Sequence, residues 1–150
     1  MTIVAANDTV TYLDHTGQPR AAQGVQLLGR AAERVEGPHE QIAFRSLATA
    51  NPLVLHAGAC RLLASALGNV GTGCFLKFYD KATAPSEADT PVLTVALAAS
   101  TFQGQVQDYL AGRGIHFTNG CAIRITGAVA DNDTTAIAAG QVAGFFALVS

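Results

Sequence analysis

Residues 121–126 read Cys-Ala-Ile-Arg-Ile-Thr, and residues 140–149 read Gly-Gln-Val-Ala-Gly-Phe-Phe-Ala-Leu-Val. In the first stretch Cys121, Ile123 and Ile125 alternate with Ala122, Arg124 and Thr126. That period of two marks a strand with one buried face, which places Cys121, Ile123 and Ile125 inward and Arg124 and Thr126 outward. In the second stretch both faces are apolar: Gly140, Val142, Gly144, Phe146 and Leu148 on one, Ala143, Phe145, Ala147 and Val149 on the other. Such a strand belongs in the middle of a sheet or across a subunit contact, with Phe145 and Phe146 as candidate interface residues.

Outward from these two stretches, the same period governs the chain beyond Pro38. It predicts strands at 42–49, 53–56, 60–67, 73–80, 92–97, 114–117, 122–126 and 140–149. Turn chemistry separates them: Asn51-Pro52, Gly68-Asn69, Pro85-Ser86, Asn119-Gly120 and Asp131-Asn132-Asp133. No amphipathic segment of helical length lies between the strands to act as a parallel crossover, so the pairing is expected to be antiparallel. Short strands with one-sided faces must cover each other, and the expected fold is an all-β antiparallel sandwich. Phe75, Lys77 and Tyr79 share one strand face on which only the lysine demands water, which reads as a snorkelled surface or a subunit contact.

The first forty residues have a different texture. MTIVAAND suits a short strand, and residues 14–19 form a turn-rich break. Residues 21–36 read as a weak helix with Val25, Leu28 and Ala32 loosely on one side, interrupted by Gly24 and Gly29. Each of those glycines costs about 1 kcal/mol relative to alanine in a helix interior. Gly37 and Pro38 end whatever forms there. The chain is therefore divided into an N-terminal arm, 1–41, and a sandwich domain, 42–150. The arm has few large apolar residues and is expected to order on a partner, with Arg30 and Arg34 as its candidate contacts.

Composition narrows the function. Of 150 residues only 13% are charged, against about 25% in an ordinary soluble domain, which suits surfaces in contact with other protein. A net charge of −2 supplies no field for phosphate backbones or anionic lipid, so neither nucleic acid nor membrane is an expected partner. No apolar run approaches the ~20 residues needed to cross a bilayer, and the N-terminus lacks a basic leader, so synthesis and storage in the host cytoplasm are expected. Cys60, Cys74 and Cys121 are too few and too far apart for a disulfide framework or a metal knuckle. Each opens an apolar strand face (Cys60, Leu62, Ala64 in one case), where a thiol packs as a small hydrophobe.

No catalytic constellation is complete. His56 and His116 stand without metal-ligand spacing, and a GxSxG elbow is missing. Gly68, Gly71 and Gly73 precede no helix, so they are no dinucleotide fingerprint. Asp131-Asn132-Asp133 has oxygen ligands for a weak calcium loop but lacks its glycine and closing glutamate, and a turn capped by its own side chains is the plainer reading. The chain is expected to be no enzyme and to need no cofactor.

Two stretches carry a resemblance: LKFYDKATAP followed by DTPVLTVAL, and GIHFTNGCAIRITGAVADNDTTAIAAGQV. The second follows the pattern F-x-x-G-x-x-x-x-I-T-G-x-x-x-D-x-D-x-T through Phe117, Gly120, Ile125, Thr126, Gly127, Asp131, Asp133 and Thr135. Over roughly residues 53–149 the chain resembles small virion proteins of tailed phages; the arm is not covered. The resemblance implies a jelly-roll-like sandwich that decorates or cements a capsid by binding the major capsid protein and its own copies, as a homotrimer on the particle surface. The alternative it implies is a receptor- or carbohydrate-binding module of a tail fibre or spike. Such a module needs exposed aromatic faces, for which Tyr79, Tyr109, Phe102 and Phe117 are the candidates.

Overall fold

In a computed structural model the backbone is described for residues 5–6, 9–13, 19–21, 39–108 and 114–150, and the side chains for 39–100 and 114–150. Two compact units divide the chain, Met1–Val35 and Glu36–Ser150. Within the first, β1 (Ala5–Ala6), β2 (Thr9–Leu13) and β3 (Pro19–Ala21) form an antiparallel sheet in the order β1-β2-β3. The expected weak helix over 21–36 lies outside the described residues apart from Ala21, which closes β3.

The second unit is all-β, with no helix among the described residues. Its strands are β4 (His39–Arg45), β5 (Leu53–Ala57), β6 (Cys60–Asn69), β7 (Cys74–Asp80), β8 (Leu93–Leu97), β9 (Thr101–Asp108), β10 (Ile115–Phe117), β11 (Gly120–Thr126) and β12 (Val142–Val149). They make two antiparallel sheets. One runs β4-β12-β6 with β9 and β10 along the far edge of β6; the other runs β5-β11-β7-β8. The core between them draws Phe44, Leu62 and Phe146 from the first sheet and Leu76, Phe78, Ile123 and Ile125 from the second. The Phe146 ring stands edge-on to Phe78, 6.2 Å away, and to Phe44, 5.8 Å away.

β12 sits centrally in its sheet, between β4 and β6, as its two apolar faces require. Gly144 on this strand has φ +151° and lies opposite Leu67, where an added Cβ would fall 1.9 Å from the Ala66 carbonyl oxygen. No other residue type fits there. β4 begins pairing with β12 at His39, so residues 39–41, which the sequence places in the arm, belong to the sandwich sheet. Glu40 also reaches β5, with its Oε2 3.4 Å from His56 Nδ1.

Three local expectations change. Residues 46–49, expected to extend the first sandwich strand, form a loop in which Asn51 takes φ +49° and its side chain bonds Leu47 and Thr49. The Cys60, Leu62, Ala64 alternation holds only to Leu62. The register against β12 shifts there, so that Ala64 pairs Ala147 but Leu62 pairs Leu148, and beyond the shift Ser65, Ala66, Leu67 and Asn69 are all buried. β9 was not expected at all, because Thr101–Asp108 reads TFQGQVQD, with glycine at its middle and only Phe102 and Val106 as large apolar residues.

β9 and β10 behave as one interrupted edge. Asp108 pairs Ala64 and Ile115 pairs Leu62, so one residue of β6 lies between two pairings that six residues separate in the other segment. Gly114 returns the chain at φ +71°, where an added Cβ would stand 2.8 Å from the Leu62 oxygen.

Cys60, Cys74 and Cys121 are buried and free of disulfides. Burial raises the pKa of all three thiols, that of Cys74 to about 11. In the native protein none should react with iodoacetamide at pH 8 on a timescale at which free cysteine is consumed, and all three should react after unfolding in guanidinium; mass spectrometry counts the adducts. Gly144→Ala should lower stability by on the order of 3 kcal/mol, a drop in Tm of roughly 10 °C. Gly73→Ala is its control, since a Cβ there meets nothing closer than the Leu97 oxygen at 3.7 Å, and it should unfold within a degree or two of wild type.

Candidate functional site

Two surfaces of the sandwich are built differently from the rest. On β7 and β11 the pairing sets Lys77 directly opposite Arg124, and Tyr79 opposite Ala122. These side chains face away from the core, as the alternation predicts. They do not reach water: Lys77 is 0% exposed, Arg124 3% and Tyr79 1%. The loops that follow β7 and β11 reach over them with the carbonyls of Ser86, Ala130 and Asp133. The Lys77 ammonium donates to the Ala130 carbonyl. Arg124 donates to the Ser86 carbonyl at 2.9 Å and to the Asp133 carbonyl at 2.9 Å. The Thr126 hydroxyl donates to the Ala128 carbonyl at 2.9 Å.

Two like charges opposite each other repel, and burial penalises both. Burial holds the Lys77 pKa below its ordinary value; Asp133 pulls it back up, Arg124 pushes it further down, and Asp131 again raises it. The Tyr79 hydroxyl is buried with no hydrogen-bond partner, the Arg124 guanidinium standing beside it without completing one. Burial raises the pKa of that phenol and Arg124 partly offsets the rise. The cations thus act as staples that take up loop carbonyls which the sheet itself leaves unpaired.

The loops are pinned from their own side by carboxylates. Asp133 accepts from the Ala128 N–H at 2.8 Å, and its other oxygen accepts from the Thr135 hydroxyl at 2.7 Å and the Thr135 N–H at 3.2 Å. Both oxygens are occupied by the chain, so the 131–133 loop is a self-capped turn. Among the described residues no group of three or more His, Cys, Asp or Glu side chains is placed to hold a metal. Asp89 likewise accepts from the Lys81 ammonium at 2.7 Å and from the Ser86 N–H at 2.7 Å. Asp80 caps the turn before β11 by accepting the Asn119 N–H at 2.7 Å.

The second surface is a groove of about 550 Å³ at the end of β4, along the loop 46–52 and onto the start of β5. Phe44 lies at its base, and Leu47 and Leu53, 66% and 38% exposed, stand at its rim. Arg45 lines it and has no carboxylate within ion-pair distance among the described residues. Nothing in the sequence singles out this groove. Leu47 sits in a stretch that reads as strand, and only the turn made by Asn51 turns it outward.

The residues expected at an interface are scattered. Phe75 and Phe145 are half-buried on the outer faces of their sheets. Tyr79 lies beneath the loops, and Phe146, 0% exposed, is part of the core, so neither offers a surface contact in this chain. Arg30 and Arg34 lie outside the described residues. Of the aromatics proposed for sugar stacking, Phe117 is 0% exposed and Tyr79 1%, while Phe102 and Tyr109 lie outside the described side chains. His56 is joined to Glu40, and His116 is exposed on β10.

The pinned loops give the protein an acid-sensitive cover. The Asp89 pKa is lowered to about 2, first by the Lys81 ammonium and then by Ser86. The Asp133 pKa is lowered to about 2 because Thr135, Ala128 and Thr126 outweigh the desolvation that would raise it. Both folded values lie below the ordinary carboxylate value, so this stabilisation is complete above pH ~4 and is lost as pH falls toward 2. Tm should therefore be level from pH 7 to 5 and fall between pH 4 and 2, and Asp133→Asn should lower Tm at pH 7 while flattening that fall.

No family model matches the sequence, and no curated protein and no solved structure does so either.

Proposed function

We propose that the chain is a structural protein of a tailed-phage particle, with a sandwich wound as a jelly roll that docks on the major capsid protein and on its own copies. The observation that supports this most is the pairing order. With β9 and β10 counted as one edge, the first sandwich strand pairs the last (β4 with β12), the second pairs the penultimate (β5 with β11), β6 pairs β9 and β10, and β7 pairs β8. A chain folded back on itself as one long hairpin makes these four pairs. Wrapping that hairpin adds β6 to β12 and β7 to β11, which are the two remaining contacts within the sheets. That order fits the winding of double-sheet jelly rolls, which recur in viral capsids and in lectins and cupins.

Fold alone does not select among these uses. The shell reading draws on the sequence resemblance over residues 53–149 and on a charge content too low to cover an isolated surface. The tail-fibre reading has less support, because two of its four stacking aromatics are buried. A decorating protein works through multivalent weak contacts, so it needs docking faces in place of an active site.

Electron microscopy of intact virions carrying the gene tests the proposal. Copies of this chain should lie on the outer shell, touching the major capsid protein and each other around three-fold positions, and light scattering of the purified protein at shell-like local concentration should show a trimer. Localisation confined to the tail, or absence from the virion, overturns it.

A further inference from the structure

We propose that the groove at the β4–β5 edge is a docking site for an extended segment of a partner protein, one that seats a large apolar side chain over Phe44 and sets a carboxylate against Arg45. The inference rests on reading the chain as a docking protein and names the chemistry of what docks.

Size and shape come first. At about 550 Å³ the groove lies within the range that encloses a small ligand or a few side chains, and its base and rim are mostly apolar. Its wall is rigid before anything binds. Asn51, only 6% exposed, accepts the Leu47 N–H at 2.7 Å and donates to the Leu47 and Thr49 carbonyls at 3.1 and 2.8 Å. The loop is tied to the body of the sandwich by the Ile137 N–H on the Thr49 carbonyl, 3.2 Å, and the Ile125 N–H on the Ala50 carbonyl, 2.9 Å. Leu47 is nevertheless 66% exposed. A large apolar side chain held out by a loop this well bonded has lost its backbone freedom already, so a partner that covers it gains burial with little further ordering.

The occupant is extended because β4 ends the order of its sheet, and no described strand pairs with its other side. The backbone donors and acceptors of His39–Arg45 that point that way can receive one more strand, the mode in which pockets beside the edge choose the side chains. The occupant is acidic because Arg45 is exposed at the groove with no carboxylate at ion-pair distance among the described residues, whereas Glu40 on the same strand lies 3.4 Å from His56.

A second copy of this chain fits less well. If two β4 strands pair antiparallel about a two-fold axis through the sheet, opposed residues must come from the same face. Arg45 then meets only His39, Gln41, Ala43 or another Arg45, never Glu40. The charge stays unanswered in every register.

A displayed library of random nonapeptides, selected against the full-length protein, provides the test. Enriched peptides should share a large apolar residue with Asp or Glu close to it. Leu47→Asp should weaken their binding at least tenfold, and Arg45→Glu should switch the preferred acid to Lys or Arg. Circular dichroism and Tm of both variants should match wild type, since both positions are exposed. Peptides that bind both variants as well as wild type, or no enrichment above background, overturn the proposal. Concentration-dependent dimerisation abolished by Leu47→Asp also overturns it, by making a second copy the occupant. The virion assignment fails separately, in the microscopy: a chain located on the shell with Leu47 facing solvent keeps that assignment and sinks this one.

Discussion

The ring of Phe146 holds the two sheets together, and much of the rest is arranged so that it can. It comes from the central strand of one sheet and meets Phe78 of the other edge-on at 6.2 Å, while Phe44 of the neighbouring strand closes on it at 5.8 Å. Edge-on contacts of this kind contribute about 0.5–1.5 kcal/mol each beyond the burial of the rings themselves. The ring's position depends on Gly144 two residues earlier, where β12 passes so close to the Ala66 carbonyl that no Cβ fits. Glycine at that point and phenylalanine at the next core position are one device. The first draws the strands together, and the second fills the space between the sheets.

The outer face of the second sheet follows the opposite logic. Its floor is cationic, Lys77 against Arg124, and the cover is a loop whose carbonyls have no strand to pair with. The floor would not be stable alone: buried like charges repel, and buried donors left without acceptors each cost about 1–3 kcal/mol or more. Each answers the other's requirement. Asp133 then fixes the loop from outside through Ala128 and Thr135. The D-x-D-x-T run that stands out in the sequence is in this way a structural lock, and its regular spacing reflects the turn it caps.

Two sides of the sandwich are taken up by its own chain, the far edge of β6 by β9 and β10 and the face around Lys77 and Arg124 by two loops. The end of β4 keeps an apolar groove, an exposed leucine on a well-bonded loop and an arginine with no carboxylate at ion-pair distance among the described residues. For a protein that is proposed to work by contact, that is where contact is chemically specified.

The sequence by itself determined the class of this fold and most of its strands, because a period of two is a local property that survives any tertiary arrangement. Alternation placed β5, β7, β11 and β12 within about a residue or two, and two apolar faces were enough to make β12 central. The free, buried cysteines follow from the same pattern. Tertiary structure decided what periodicity cannot encode. A position of one face can meet solvent or a covering loop, and alternation is identical in both cases, so Lys77, Tyr79 and Arg124 read as surface yet are buried. The slip in β6 past Leu62 comes from a register against β12 that no single strand contains. β9 is stabilised by its place along β6 more than by its own weakly apolar residues. The groove exists only because Asn51 bends the chain and brings the ends of β4 and β5 together, across residues whose local sequence still reads as strand.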